Sequence, residues 1–374
     1  MSRLQSPSLA GASHTPISSH GGFTLIEMLV SLGLIGMLLV ILMSMINQVS
    51  SVWGMTSGKI EQFQEVREAF EAITRRLSTA TLNTYWDYDN PSTPSAYVRQ
   101  SELRFLSGPL NGANAIAGNA PEGKSWQTHG VFFQAPLGNS EPGQSQLSGL
   151  YSLLNTRGYF VEYGDLTRPD IPGITIVKSQ YRFRLCELVQ PTSDLNIYHY
   201  TSGLDNTGTA AKSLAYTGND WFTPALNLSG TTRPVHILAT NVIAMVLLPH
   251  LSQEDDSTGT LLAPQYIYDS SKTGAAASLS GSAAAKANSK NQLPPMILFT
   301  MVVIDEKSAN RLDHGTTTPP DIGVDMTTIF QQASSYSADL ATLENALQAH
   351  HIQYRIFTSN IRIKGAKWST EETN

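Results

Sequence analysis

The chain has 374 residues, of which only 14% are charged, with a formal net charge of −6 and a single cysteine. That balance lacks the basic excess of a nucleic-acid binder, and one cysteine rules out an internal disulfide framework. The length suffices for one large or two small domains with a real core.

Residues 1–22 carry one fixed cation, Arg3, with His14 and His20 as the only other basic groups. Gly21-Gly22-Phe23-Thr24-Leu25-Ile26-Glu27-Met28-Leu29-Val30 then opens an apolar run that continues to Ile46, and Glu27 is its one ionisable residue. As a helix, residues 23–46 rise about 36 Å, enough to cross a bilayer core of roughly 30 Å. A carboxylate in such a run costs about 3 kcal/mol at mid-membrane and less near the end, where Glu27 sits. A chain that keeps an acid there uses it. A cleaved secretory signal fits worse, because its apolar core precedes the cut and spans only about 7–15 residues.

The next segment, Asn47–Gly58, is polar and contains Gly54 and Gly58, which predicts a bend. From Lys59 to Leu82, the residues Ile60, Phe63, Val66, Phe70, Ile73 and Leu77 recur at spacings of three and four, one stripe of an amphipathic helix. Such a stripe packs on the protein's own sheet or on a partner helix, and the first is favoured. Glu71 and Arg75 stand four apart in the stabilising order.

Strands are predicted at Glu102–Leu106, Val131–Gln134, Gly158–Tyr163, Gln180–Val189, Asn196–Tyr200, His236–Leu248, Met296–Ile304 and Ile352–Ile363, the last with a break at Thr358-Ser359-Asn360. Alternation through Tyr181–Val189 places Cys186 opposite the Tyr, Phe and Leu face, buried in a strand. One late helix is predicted over Ala338–His350, with Leu340, Leu343 and Leu347 in period and Ser337 as its cap. A helix followed by antiparallel strands indicates an α+β fold, a long N-terminal helix packed on a mainly antiparallel sheet domain with long loops. Residues 270–292 read as a flexible loop, and 107–128 and 201–218 as shorter insertions of the same kind.

Four motifs invite chemistry, and each reads first as structure. Gly118–Ser125 satisfies the phosphate-loop pattern, but no core strand precedes it, and Gly130 interrupts any helix after it. His350-His351 read as a solvated helix end before a metal site. Asp255-Asp256 and the pair Asp87 and Asp89 read as turn acids, since calcium wants six to eight oxygens. No catalytic residue, cofactor or metal site is expected, and the chain is read as not an enzyme.

The stretch Gly22-Phe23-Thr24-Leu25-Ile26-Glu27 with its apolar continuation resembles the class III signal of type IV pilins and type II secretion pseudopilins. The resemblance implies that a prepilin peptidase/methyltransferase cuts between Gly22 and Phe23 and methylates the new amino group of Phe23. It implies that Glu27 docks subunits by pairing with a neighbour's N-terminal amine; the alternative is that Glu27 merely reaches the headgroup region. An ordinary signal anchor with an accidental acid is the competing reading of the whole stretch. Three features depart from the family: the leader is poor in Lys and Arg, Ser44 stands where many pilins have a proline, and Cys186 has no internal partner. The last two favour a pseudopilin-like or minor subunit over a major fibre pilin. Arg67–Leu77 followed by Asn83-Thr84-Tyr85-Trp86 is similar to the helix end of J-type minor pseudopilins. Closer as a whole-chain pattern is the Verru_Chthon cassette group C, with a Tyr-Trp-Asp-Tyr turn at 85–88 and a terminal strand ending in Ala366-Lys367-Trp368-Ser369.

The resulting expectation is a leader (1–22), a transmembrane helix (23–46), an amphipathic continuation (47–82) and an extracytoplasmic β-rich domain (83–374). The chain would be a single-pass inner-membrane protein with its N-terminus cytoplasmic. Its partners would be the peptidase, other pilin or pseudopilin subunits, the inner-membrane assembly platform and membrane lipid, with no nucleic acid. The alternative from another class is a membrane-anchored extracytoplasmic enzyme or binding protein that borrows a pilin-type export signal.

Overall fold

The computed structural model describes residues 24–90, 92–140, 147, 150, 152–166, 180–198, 218–228 and 230–369, with the backbone alone for 51–62. The chain forms two compact units, Met1–Gly58 and Lys59–Asn374. Helix α1 runs from Leu25 to Leu77. Its backbone stays helical through Gly54 and Gly58. In the first unit, its segment Leu25–Ser50 is long and apolar enough to cross a membrane, and none of it is buried.

Among the described residues, the second unit takes up the rest of α1 and eleven strands. These are β1 (Tyr85–Tyr88), β2 (Tyr97–Gln100), β3 (Leu106–Pro109), β4 (Ser125–Pro136), β5 (Leu154–Asp165), β6 (Tyr181–Gln190), β7 (Val235–Thr240), β8 (Val242–His250), β9 (Tyr268–Asp269), β10 (Met296–Ile304) and β11 (Tyr354–Arg362). They form an antiparallel six-stranded sheet in the order β7-β6-β5-β4-β3-β9, a three-stranded sheet β11-β10-β8, and the hairpin β1-β2. The short helices α2 (Thr223–Asn227), α3 (Gly281–Ala287) and α4 (Glu306–Leu312) and the longer α5 (Tyr336–Ala349) complete it. This is the expected α+β arrangement.

The amphipathic stripe packs inward, as read. Val66, Phe70, Ile73 and Leu77 are buried in one core with Val131, Phe133, Tyr159, Val161 and Leu185 of the large sheet and Met245, Phe299, Met301 and Val303 of the small one. Phe70 stacks on Phe299 with ring centres 4.7 Å apart. Glu71 pairs with Arg67 at 2.9 Å, one turn before it, and not with Arg75 as expected. A second core under α5 holds Leu343 and Leu347 against Val302 and Ile304. The opposite face of the large sheet packs Phe132, Phe160, Cys186 and Leu188 on Trp221 and Phe222. Phe132 lies across Gly158, where any side chain would collide with its ring.

Several boundaries differ from the sequence reading. The run His236–Leu248 is two strands, because Asn241 adopts φ 65° and hands the chain from one sheet to the other. Asn tolerates that left-handed geometry better than its β-branched neighbours would. At this corner the Asn241 amide donates to the Phe183 carbonyl at 2.7 Å, and its carbonyl accepts from Ile304 at 3.0 Å. Asn196–Tyr198 is a single 3-10 turn, not a strand. The first predicted strand lies later, at Leu106–Pro109, and it and the start of β4 occupy the supposed insertion 107–128. β11 is continuous through Thr358-Ser359-Asn360. Tyr85–Tyr88 is a strand and not a turn, and Ala366–Ser369 is irregular. Helix α5 begins at Tyr336 with no side-chain cap, so Ser337 lies inside it. Residues 270–292 hold a 3-10 turn and α3, and Ser289, Asn291 and Gln292 are buried. Residues 201–217 lie outside the described residues.

The two sheets are joined by a kink in β4, where the pairing with β5 shifts between Gln127 and Gly130. Thr128, at φ 48°, turns its hydroxyl to the outer edge of β8, donating to the Met245 carbonyl at 2.8 Å and accepting from the Met245 amide at 2.9 Å. His129 Nδ1 accepts from the Leu247 amide at 3.1 Å, which leaves Nε2–H to donate to the Phe330 carbonyl at 2.9 Å. Fully buried, this imidazole is pushed down to about 4 by desolvation, against the opposing pull of its two backbone partners.

Two outcomes are expected. Phe70→Ala removes the ring shared by α1 and β10, and should cost about 3–5 kcal/mol in denaturant unfolding of the detergent-solubilised chain. His129 must stay neutral in the fold but protonates near 6.5 when unfolded. Between pH 6.5 and about 4 the unfolded state therefore binds more protons, and stability falls as pH drops through that window. The loss is on the order of 3 kcal/mol. His129→Gln, which cannot titrate, should flatten that part of the stability profile.

Candidate functional site

Thr24 precedes the first helical residue, and its hydroxyl accepts the Glu27 N–H at 3.3 Å, while its carbonyl accepts the same N–H at 3.1 Å. Thr24-Leu25-Ile26-Glu27 has the Thr-x-x-Glu spacing of a capping box, in which a side chain satisfies a donor that the helix start leaves orphaned. The sequence reading passed over Thr24, although that spacing was there to find it. Glu27 lies in the first turn with its side chain exposed, where the helix dipole favours a negative charge. Ser31 Oγ donates to the Glu27 carbonyl at 2.7 Å. The structure thus places Glu27 at the helix start, while Gly22 and Phe23 lie outside the described residues.

From Leu25 to Val49 every large apolar side chain is exposed, by 47% or more. A water-soluble protein does not leave so long an apolar helix uncovered; lipid or other helices must cover it.

The densest charge in the second unit lies on the β5–β6 pair. On one side Glu187 receives Arg157 at 3.0 Å, Arg76 of α1 at 2.6 Å and the Tyr159 hydroxyl at 2.7 Å. On the other, Glu162 receives Arg233 through both oxygens, at 2.9 and 2.8 Å, and Arg184 at 2.7 Å. Burial pushes the Glu162 carboxyl up, but the hydrogen bonds and charge of Arg233, then the charge of Arg184, outweigh it and hold it below the usual carboxylate range. Beside this cluster, Cys186 is fully buried, and desolvation raises its thiol far above the ordinary value, which makes it unreactive. These carboxylates are saturated by arginines and hold the sheet together. They offer no free base.

Most of the remaining candidates lie in turns; Asp87, read as a turn acid, lies instead in β1. Lys124-Ser125 of the phosphate-loop pattern runs directly into β4, so no helix N-terminus follows. Arg311 donates to the carbonyls of His350 and His351. Asp256 accepts from the Thr258 hydroxyl and the Leu261 amide, and Asp89 from the Ser95 and Ala96 amides. Asp255 faces Ser252 and Lys286. Among the described residues no cluster of His, Cys, Asp and Glu could hold a metal. Two surface hollows, of about 630 and 550 Å³, lie beside the 319–327 loop and beside Tyr336. In the first, Asp321 and Asp325 turn back onto their own loop, accepting from Gly323 and Thr327.

Residues 17–43 match the family described as the prokaryotic N-terminal methylation motif. The match spans the Gly22–Phe23 junction, Thr24, Glu27 and most of the apolar helix. The chain therefore carries a type IV pilin-like signal on an N-terminal apolar helix, as a membrane-anchored prepilin-like precursor does. A motif of this type implies processing by a prepilin peptidase and other pilin-type subunits as partners in general. Comparison with curated proteins and with solved structures finds no match.

Glu162→Gln should destabilise the second unit by about 3–5 kcal/mol, because two buried guanidinium groups lose their counter-charge. Chemical denaturation of the full chain measures it, and a change below about 1 kcal/mol would mean that water already screens the cluster.

Proposed function

We propose that the chain is cut between Gly22 and Phe23, methylated on the Phe23 amine and assembled as a minor subunit of a type II secretion or type IV pilus-like filament. The observation that carries this reading is an acid in the first turn of a helix whose apolar side chains are exposed from Leu25 to Val49, within and beyond the matched methylation motif. Lipid covers the helix. Glu27 then meets the amine of a neighbouring subunit, because two charges that are each costly in lipid become tolerable as a pair. The β-rich unit faces the extracytoplasmic side and contacts partners or cargo. Its role is non-catalytic: the carboxylates of the β5–β6 pair are neutralised, and the acids lining the larger hollow are tied to their own loop.

Mass spectrometry of the native protein is the test of processing. The mature chain should begin at Phe23 with one added methyl group, and a chain that retains Met1 would refute the processing step. Glu27→Ala should be cleaved normally yet enter filaments at least about tenfold less, the consequence of losing about 1.4 kcal/mol or more of docking energy. Pull-down of sheared filaments quantifies it.

A further inference from the structure

The two outer edges of the three-stranded sheet are treated differently. Along β8, the amides that face away from β10 are taken up by Thr128 and His129. Along β11, nothing among the described residues does the same. The Asp305 amide donates to the Gln353 carbonyl, and the Ile363 amide to the Pro295 carbonyl. Together with the register Met296↔Arg362 through Ile304↔Tyr354, these bonds mark the odd-numbered residues of β11 as the ones that pair with β10. Tyr354, Ile356, Thr358, Asn360 and Arg362 consequently turn their N–H and C=O groups outward. No described residue bonds those ten backbone groups. The edge runs unbroken for nine residues, about 30 Å, with neither proline nor bulge.

Charge then selects what could lie there. Residues 351–369 contain Arg355, Arg362, Lys364 and Lys367 and no Asp or Glu, in a chain whose net charge is −6. All four cations are exposed, and none forms an ion pair with a described acid; Arg355 lies over the Phe63 ring at 4.7 Å. A second copy of β11 would bring the same cations against this edge. Residues 1–23 hold no acid at all, so they do not complement it either.

We propose that the outer edge of β11 is a docking strand for an extended, acidic segment of another protein, which joins the small sheet by main-chain hydrogen bonds. The backbone supplies the pairing and the flanking cations choose the sequence. The inference does not depend on the filament reading, since it concerns the second unit alone.

The test uses the full chain in detergent micelles and a nine-residue peptide of alternating glutamate and valine, with a lysine–valine peptide as control. Hydrogen exchange should show fast exchange at Ile356, Thr358 and Asn360 in the free protein and protection when the glutamate peptide is added. The lysine peptide should give none. Thr358→Pro deletes an outward N–H while leaving the β10 ladder intact, and should weaken binding at least about tenfold. Should that variant misfold, R362E/K364E at exposed positions serves instead, and should exchange preference for the glutamate peptide for the lysine one. Protection without peptide, whether constant or growing with protein concentration, would overturn the proposal, since the chain or a second copy would already fill the edge. Peptide binding that Thr358→Pro leaves unchanged would overturn it too, by reducing the site to a diffuse basic surface.

Discussion

The two larger sheets of the second unit depend on a single helical stripe. A sheet with one face on a core needs that face covered, and here two sheets present theirs to the same four residues, Val66, Phe70, Ile73 and Leu77. Burying each such side chain contributes about 1.5–3 kcal/mol relative to exposure. The stripe also fixes the helix in register, because Arg76 leaves the same turn to meet Glu187 at 2.6 Å. That pair is one-third exposed at the arginine, so its weight lies in orientation more than in energy. The chain just after β11 joins this arrangement where the Lys364 amide donates to the Ser78 carbonyl just past the helix.

The junction between the sheets shows how a short sheet handles its edges. An edge strand has a row of unpaired amides and carbonyls, which in isolation invites association. At β8, a threonine hydroxyl and a histidine ring replace a strand, and the replacement works only because the β4 kink lifts both side chains out of their ladder. The cost is a buried imidazole that cannot accept a proton without losing the Leu247 amide as donor. At β11, among the described residues, the deterrent is charge, which repels like surfaces and admits unlike ones.

Much of this fold is legible in local pattern. The period of the α1 stripe and the alternation around Cys186 concern residues close in sequence, and both hold: the stripe is buried, and Cys186 faces Phe132 and Phe160 while Leu185 faces α1. Met296–Ile304 is a β-branched and apolar run with no turn residue inside it, and it forms β10. What was misread depends on distant partners. Composition makes 270–292 look structureless, yet the Asn291 amide reaches Ser270, its side chain reaches the Arg99 carbonyl, and Gln292 exchanges bonds with Ser369. Nothing in a stretch of Ser, Ala and Lys announces those bonds. Asn241 hid inside an apolar run because one left-handed residue does not disturb the average of its neighbours. Glu27 was legible for the opposite reason: an acid in an apolar run is conspicuous without any tertiary knowledge, whereas Thr24 is conspicuous only when the helix start is known.

The same contrast bears on where recognition ends. The methylation motif stops at residue 43, inside the apolar helix. Lipid imposes the same demands on any such segment: satisfied backbone, apolar surface and a partner for every charge. Thr24 meets the first demand at the helix start and does not touch the third, because a capped amide does nothing for the charge on Glu27. The β-rich unit answers to no such solvent. Its carboxylates are met internally, Glu162 by Arg184 and Arg233 and Glu187 by Arg76 and Arg157, with all but Arg76 nearly buried. A unit that neutralises its own interior is free to vary its surface, whereas an acid in an apolar segment makes any counter-charge near it valuable.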